Sequence, residues 1–180
     1  MTGARRALIL ARGKFLAGER IDMSALAREV GVNRVTLYRW LGPREQVLAD
    51  VIWSVADGAL RRGRSRTRKR GAERIVRVVL GLVEDALSHP AVARYVSEEG
   101  EQAIRLLTRR DTGVHPRLTE AIEELLAEEV QRGTIELRAN LYELADTVMR
   151  IVESYVYVDR VSGQELDPGR AEAMIRLLLR

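Results

Sequence analysis

The side chains best suited to chemistry in this sequence lie close together, in the ten residues from Gly31 to Trp40. Arginine can donate a pair of hydrogen bonds to O6 and N7 of guanine, threonine can contact a thymine methyl group, and tyrosine can donate to a phosphate. Such chemistry suits the surface of a DNA duplex. The candidate DNA-binding residues of this segment are Asn33, Arg34, Val35, Thr36, Tyr38 and Arg39.

Two short helices joined by a tight turn would hold these side chains in place. Asp22 is suited to cap the first helix and Asn33 to cap the second. Gly31 allows the left-handed backbone conformation that a tight interhelical turn needs. Leu37 and Trp40 are three residues apart, so both would face inward. The pattern predicts a helix-turn-helix whose second helix enters the major groove; the alternative is an ordinary helical hairpin with a solvated polar face.

The charge of the chain is divided unevenly, although its net charge is only +4. Residues 1–70 contain 16 Lys and Arg against 6 Asp and Glu, whereas residues 71–180 contain 14 against 20. This division indicates that the first part meets a polyanion and the second part has a different task. The alternative is an uneven surface without functional meaning.

The composition limits both the fold and the chemistry. Apolar residues make up 46% of the chain and aromatic residues 4%, and apolar positions recur at helical spacing almost throughout, so we expect an all-α protein. The absence of cysteine excludes a disulfide framework and a thiolate nucleophile. No catalytic, metal or cofactor arrangement stands out, and no apolar run is long enough to span a membrane. We therefore expect a cytoplasmic protein that is not an enzyme and has no cofactor, no metal and no membrane partner.

The helical pattern divides the chain into three regions. Residues 1–60 are the expected helix-turn-helix DNA-binding domain. Residues 61–71 are dense in arginine, which predicts a solvated basic linker, with contact to the DNA backbone as the alternative. Residues 72–180 are the expected C-terminal helical bundle for ligand binding and dimerisation.

A ligand pocket is expected inside this bundle, because tyrosine and methionine combine apolar walls with a polar or soft edge. Plain core packing is the alternative. The candidate pocket residues are Val83, Leu87, Tyr95, Met149, Glu153 and Tyr155. His89 and His115 each precede a proline and are expected to cap helices, with metal binding or catalysis as the alternative.

The segment after Gly31 resembles the TetR family of transcription regulators. Gly31-Val32-Asn33 and Thr36-Leu37-Tyr38 match the family's recognition block, and Arg44-Glu45 with Val47-Leu48 stand at its Lys-Glu-x-Leu-Leu positions. The resemblance implies that Tyr38 and Arg44 hold phosphates and that residues Arg34 to Arg39 read bases. It covers about residues 5–60.

Three positions depart from the family block. Trp40 stands where His is common, Leu41 where Phe is common, and Gly42-Pro43 lie in the break before the next helix. We therefore carry no DNA contact over to Trp40 and place its side chain in the core. The stretch from Tyr38 to Gln46 and the stretch from Tyr155 to Pro168 look like the QsdR-like subgroup. This implies a role connected with lactone or acyl-homoserine-lactone breakdown.

The family resemblance also implies how the parts act together. Apolar stripes on helices around residues 139–161 and 168–180 would pair across a two-fold axis, giving a homodimer that presents two recognition helices to a palindromic double-stranded DNA operator. A small, mostly apolar effector would then release the DNA, which makes the chain a ligand-responsive repressor. The alternatives are a ligand-independent architectural DNA-binding protein and an all-α enzyme with a basic head. The stripe residues are Leu144, Val148, Ile151, Val152, Tyr155, Ile175, Leu178 and Leu179.

Overall fold

The computed structural model describes residues 2–110, 113–136, 139–154 and 168–180, apart from the side chains of Leu87 and Pro168. Every regular element in these ranges is a helix, which confirms the all-α prediction. No helix among the described residues is long and apolar enough to cross a membrane. The helices are α1 (Gly3–Leu16), α2 (Met23–Val30), α3 (Arg34–Leu41), α4 (Arg44–Arg66), α5 (Gly71–Ser88), α6 (Pro90–Thr108), α7 (Val114–Gln131), α8 (Leu141–Glu153) and α9 (Pro168–Leu178).

Helices α1 to α3 form an N-terminal head around a small apolar core. Ala11 and Phe15 of α1, Leu26 of α2 and Leu37 of α3 are all buried. Helix α1 packs against both of the other head helices and also against α4 and α6. The head is therefore a three-helix module that rests on the remainder of the chain through α1.

Helix α4 is longer than the sequence pattern suggested. It continues through Arg61–Arg66, within the predicted basic linker 61–71, and only residues 67–70 connect it to α5. The helix tolerates this run because carboxylates offset the repulsion between its arginines. The ion pairs are Arg61 with Asp57, Arg62 with Asp85, and Arg64 with Glu124 and Glu128.

The remaining helices form a bundle around α5. Ile75, Val76, Val78 and Val79 of α5 are all buried, as expected for a helix that is apolar on almost every side. Helix α5 packs along α4 and also contacts α6, α7 and α9, while α7 and α8 form a second closely packed pair. The predicted helix over 139–161 is described only from Leu141 to Glu153; its later residues lie outside the described ranges.

Helix α6 changes direction at Gly100. This glycine has φ 43° and ψ −112°, a backbone conformation that side chains with a β-carbon rarely adopt. No atom outside the local chain lies within 4 Å of where its β-carbon would stand, so the backbone alone demands glycine here. The kink divides α6 into an arm before Gly100 and an arm after it.

The expected capping role of His115 is wrong. Its ring is buried between α7 and α8, with Nδ1 2.6 Å from Glu153 Oε1 and Nε2 2.9 Å from Asp146 Oδ1. Arg110 pairs with Asp146 and Arg150 with Glu153, which places two further charges around the same centre. Because buried polar groups are costly unless they are paired, this cluster fixes how α7 and α8 meet.

Glu129 of α7 is a second buried polar centre, and it holds the start of α5. Its carboxylate accepts hydrogen bonds from the Gly71 amide at 2.6 Å, the Thr134 hydroxyl at 2.7 Å and the Arg74 guanidinium at 2.7 Å, and it also pairs with Arg132. Burial raises the pKa of this carboxyl, but these hydrogen bonds outweigh burial and lower the pKa to about 2. Glu129 therefore joins α7 to the N-terminus of α5 as a carboxylate.

We expect Glu129→Gln to destabilise the fold by about 3 kcal/mol at neutral pH, because it leaves buried donors without a charged partner. The native pKa of Glu129 lies below its ordinary value of 4.5, so its contribution is present above that pH and is lost as the pH falls towards about 2. Urea unfolding as a function of pH measures this. The difference between wild type and variant should shrink across that window, and Glu120→Gln, an exposed change on the same helix, should have little effect.

Candidate DNA-binding surface and effector cavity

The turn before α3 is built from local hydrogen bonds. Asp22 Oδ1 accepts from the amides of Ser24 and Ala25 at 2.8 and 2.7 Å, and Asn33 Oδ1 accepts from the amide of Thr36 at 2.7 Å. Gly31 has φ +81°, in the left-handed region. The two caps and the glycine turn predicted from the sequence are therefore present in the structure. Asn33 uses its carbonyl oxygen for capping, which leaves its amide N–H groups for other partners.

Helix α3 separates an anchored face from an exposed face. Leu37 is fully buried, whereas Val35 is 78% exposed. Arg34, Arg39 and Tyr38 are exposed, and Thr36 is partly exposed. Arg34 lies 5.9 Å from the centre of the Tyr38 ring, close enough for a cation–π contact. The side chains that can contact bases and phosphates thus share the outer side of a helix that is held from behind.

Trp40 closes the inner side of this helix against α1. Its indole is partly buried, and a β-carbon on Gly3 would come within 2.3 Å of the ring. The absence of a side chain at Gly3 therefore lets the indole lie on the first turn of α1. Trp40 thus has the core role expected from the sequence.

Arg44 has partners that the sequence did not suggest. Its Nε donates to the carbonyl of Ile21 at 3.0 Å, and its guanidinium forms a two-pronged ion pair with Glu99 of α6, one bond of which is 3.0 Å. The hydrogen bond from Arg44 lowers the pKa of Glu99 below its ordinary value, so Glu99 is held as a carboxylate. In this structure Arg44 connects the head to the first arm of α6. A DNA phosphate at the position implied by the family resemblance would therefore compete with Glu99 for the Arg44 guanidinium.

A cavity of about 300 Å³ that is partly open to solvent lies in the bundle between α4, α5, α6, α7 and α8. Its surface is mostly apolar. Val83 and Met149, two of the candidate pocket residues, line it. The other lining residues are Ile52, Val55, Ala56, Ala59, Arg62, Leu82, Asp85, Ala86, Ser88, His89, Pro90, Val92, Leu107, Val114, Leu118 and Val152.

Two other candidate pocket residues lie elsewhere. Tyr95 packs edge-to-face on Phe15 of α1, with ring centres 5.9 Å apart, and burial raises its pKa to about 12, so its phenol stays neutral. Glu153 is committed to His115 and Arg150. The side chain of Leu87 and the whole of Tyr155 lie outside the described residues. Helical spacing alone cannot tell which buried face of a helix meets a cavity, so the sequence could not separate these positions from Val83 and Met149.

His89 does not cap α6 with its side chain. The helix start is satisfied by the backbone, since the His89 carbonyl accepts from the amides of Val92 and Ala93 at 3.0 Å. Its ring lines the cavity, where the buried Nδ1 has no hydrogen-bond partner among the described residues. An unpartnered ring nitrogen in an apolar wall is a position where a bound molecule could place a polar atom.

The comparisons with known proteins agree with this arrangement. Residues 70–180 match the family model of the tetracyclin repressor-like C-terminal domain. The chain belongs to the TetR family of transcription regulators. As a member of this family it is a regulator and not an enzyme. No curated protein sequence matches it.

Solved structures extend the match to the head of this TetR-family regulator. The R. erythropolis transcriptional repressor QsdR is similar with 28% sequence identity and a TM-score of 0.92, over 98% of this chain and 94% of that one. The repressor AlkX of Dietzia sp. strain DQ12-45-1b, implicated in the biodegradation of n-alkanes, shares the fold at 20% identity and TM-score 0.66, over 97% and 92%. A transcriptional regulator from Rhodococcus sp. RHA1 also shares the fold, with 19% sequence identity and a TM-score of 0.60, over 98% of this chain and 95% of that one.

The stripe residues expected at a dimer interface are mostly buried within this TetR-family chain. Val148 and Ile175 are fully buried, and Leu144, Val152 and Leu179 nearly so. The more exposed apolar residues of α8 and α9 lie beside these buried stripe residues on the surface of each helix, where they form a shallow groove. The groove is lined by Thr147, Arg150, Ile151, Ser154, Met174, Leu177 and Leu178. Only Ile151 and Leu178 belong to the predicted set; Tyr155 lies outside the described residues.

A pair of substitutions tests the two faces of α3. Leu37→Ala should lower the stability of the protein by about 2–5 kcal/mol, because it removes a fully buried side chain. Val35→Ala should change it by no more than about 0.5 kcal/mol, because Val35 is exposed. Thermal unfolding followed by circular dichroism measures both. Equal losses would contradict the assignment of the two faces.

Proposed function

We propose that this TetR-family regulator is a cytoplasmic repressor that binds a palindromic double-stranded DNA operator as a homodimer. The proposal rests on one observation: α3 presents Arg34, Tyr38 and Arg39 outward while Leu37 anchors it in the core. These exposed side chains suit both base edges and phosphates. The likeness to QsdR, a transcriptional repressor, supports repression as the sign of regulation.

The groove on α8 and α9 supports the homodimer. Leu177 and Met174 of α9 are 62% and 41% exposed, and the groove continues onto α8 through the partly buried Ile151. Large exposed apolar side chains grouped on one surface mark an interaction site. A two-fold axis through this surface would bring two copies of α8 and α9 together and fix the distance between the two recognition helices.

The cavity supports control by a small, mostly apolar effector, and the resemblance to the QsdR-like subgroup favours a compound of the lactone or acyl-homoserine-lactone type. Ile52, Val55, Ala56 and Ala59 of α4 form one wall of the cavity. Helix α4 starts at Arg44, next to the recognition helix. A ligand that moves α4 can therefore alter the position of the head. A coupling of about 1–3 kcal/mol would reduce DNA affinity about 5- to 150-fold.

Arg39→Ala tests the DNA-binding face. If Arg39 reads a base, the variant should lose about 1–3 kcal/mol of affinity for the operator and less for random duplex. The operator is first located by footprinting the purified protein on the DNA upstream of its own gene, and affinities follow from fluorescence anisotropy. Arg180→Ala, an exposed change at the end of the chain, is the control.

A loss that is equal on all sequences would make Arg39 a phosphate contact. If the wild-type protein does not distinguish any duplex from random competitor, it is an architectural DNA-binding protein and the proposed operator-specific function is wrong.

Glu99→Gln tests whether Arg44 serves the DNA. The variant frees Arg44 from its ion pair, so operator affinity should rise about fivefold, the equivalent of about 1 kcal/mol. Arg44→Ala should weaken binding evenly on all sequences and reduce the slope of log affinity against log salt by about 1. Glu98→Gln removes the same charge from the neighbouring residue, which pairs with Arg94, and serves as the control. No difference between the two glutamate variants would exclude competition by Glu99.

A further inference from the structure

A second cavity lies beside the apolar one, on the outer side of the bundle. It has a volume of about 400 Å³ and is formed by the end of α4, part of the connection 67–70 and the stretch of α5 from Arg77 to Asp85. The two cavities share Ala59, Arg62 and Asp85 in their linings. The two cavities are therefore adjacent, with these three side chains between them. The cavity in the bundle is called the apolar cavity below, and the second one is called the basic groove.

The basic groove differs from the apolar cavity in charge. Five cationic side chains line it, against the two carboxylates of Glu84 and Asp85. All five are exposed. Arg62 pairs with Asp85, and no carboxylate among the described residues lies within ion-pair distance of the other four. Unpaired cations that converge on one concave surface favour an anion with several charges. The five are Arg62, Arg66, Arg68, Lys69 and Arg77.

The basic groove and the recognition helix lie near opposite ends of α4. Helix α4 has 23 residues, so it is about 35 Å long at about 1.5 Å per residue. Arg44 next to the recognition helix and Arg66 at the groove are its two ends. The apolar cavity is directly beside the groove, so a ligand that occupies both is the partner that this arrangement favours.

The wall between the two cavities is an ion pair that can open. Arg62 Nη2 donates to Asp85 Oδ2 at 2.7 Å, and these side chains are 50% and 41% exposed. An ion pair at such exposure contributes only about 0–1 kcal/mol, so a ligand that offers Arg62 another anion can displace Asp85 at little cost. Once displaced, the pair no longer separates the apolar cavity from the basic groove.

We propose that the effector is an amphiphile: an alkyl or acyl chain that fills the apolar cavity and a phosphate-bearing head that lies in the basic groove. The inference rests on the proposed ligand-responsive regulator and replaces the neutral lactone by a charged amphiphile as its effector. The chain gains from burial among Ile52, Val83 and Met149, and the head gains charge-assisted hydrogen bonds from Arg62, Arg68 and Arg77. A neutral lactone would use the apolar cavity alone.

The test compares ligands of equal chain length on the full-length protein by isothermal titration calorimetry, below their micelle concentrations. Decyl phosphate should bind at least tenfold more tightly than decanol, since each good charge-assisted hydrogen bond is worth about tenfold. Decanoyl coenzyme A and a prenyl diphosphate then distinguish a large nucleotide-bearing head from a small one, and decanoate distinguishes phosphate from any anion.

Substitutions on the surface show where the head lies. Arg68→Gln with Arg77→Gln should reduce decyl phosphate affinity about tenfold or more and leave decanol unchanged, because both residues are exposed lining residues of the groove. Arg61→Gln with Arg70→Gln removes the same charge from the same basic run outside the groove and should change neither. Ala56→Phe, which narrows the apolar cavity, should weaken both ligands; circular dichroism confirms that it is folded.

Three results would overturn the inference. The first is equal affinity for decyl phosphate and decanol, and the second is an equal effect of the two double variants. The third is a loss of operator affinity by Arg68→Gln with Arg77→Gln in the absence of ligand, which would assign the groove to DNA. Operator binding and its relief by any ligand are measured separately by anisotropy. If a neutral ligand alone releases DNA, the proposed function stands and the amphiphile is wrong; if no duplex is bound specifically, the proposed function is wrong.

Discussion

The continuity of α4 is the constraint on which the other features depend. The helix begins beside the recognition helix, forms one wall of the apolar cavity and ends at the basic groove. It is the continuous connection between head and bundle, which the contacts of α1 and Arg44 with α6 supplement. Its last turns carry four arginines, so its length depends on carboxylates from its own residue Asp57, from α5 and from α7. Electrostatic pairing therefore stabilises the last turns of the helix.

The head could be predicted from the sequence because its determinants are local. Each cap hydrogen bond, from Asp22 or Asn33, reaches only three residues along the chain, and the left-handed conformation of Gly31 depends on that residue alone. Such features can be predicted without knowing the fold. The cavity could not be predicted in the same way, since it requires knowing which helices meet. Val83 and Met149, which were predicted from their apolar character, line the cavity, whereas Tyr95 packs against Phe15 of the head. The small residues Ala56 and Ala59 were missed, although two alanines on one face of a helix leave room beside it.

Long-range charge pairs explain the other differences. His115 meets partners 31 and 38 residues away, and Glu129 meets an amide 58 residues earlier in the chain. No local pattern marks such residues, and a histidine before proline looks like a cap. In both clusters every buried charge has an opposite charge or a donor beside it, which is the condition under which a bundle can contain them. The helical state of residues 61–66 could not be predicted for the same reason, because the carboxylate partners of Arg62 and Arg64 on α5 and α7 are far away in sequence.

The kink at Gly100 gives α6 two mechanically separate halves. The half that begins at Pro90 borders the apolar cavity through Val92 and then reaches the head through Tyr95 and Glu99. Because the bend follows directly after Glu99, this half is a short lever with one end at the cavity and the other at the head. The arm after the bend also borders the cavity, through Leu107, but the contacts with Phe15 and Arg44 all come from the arm before it. An effector in the cavity would therefore touch, at Val92, the same helical arm that holds the head.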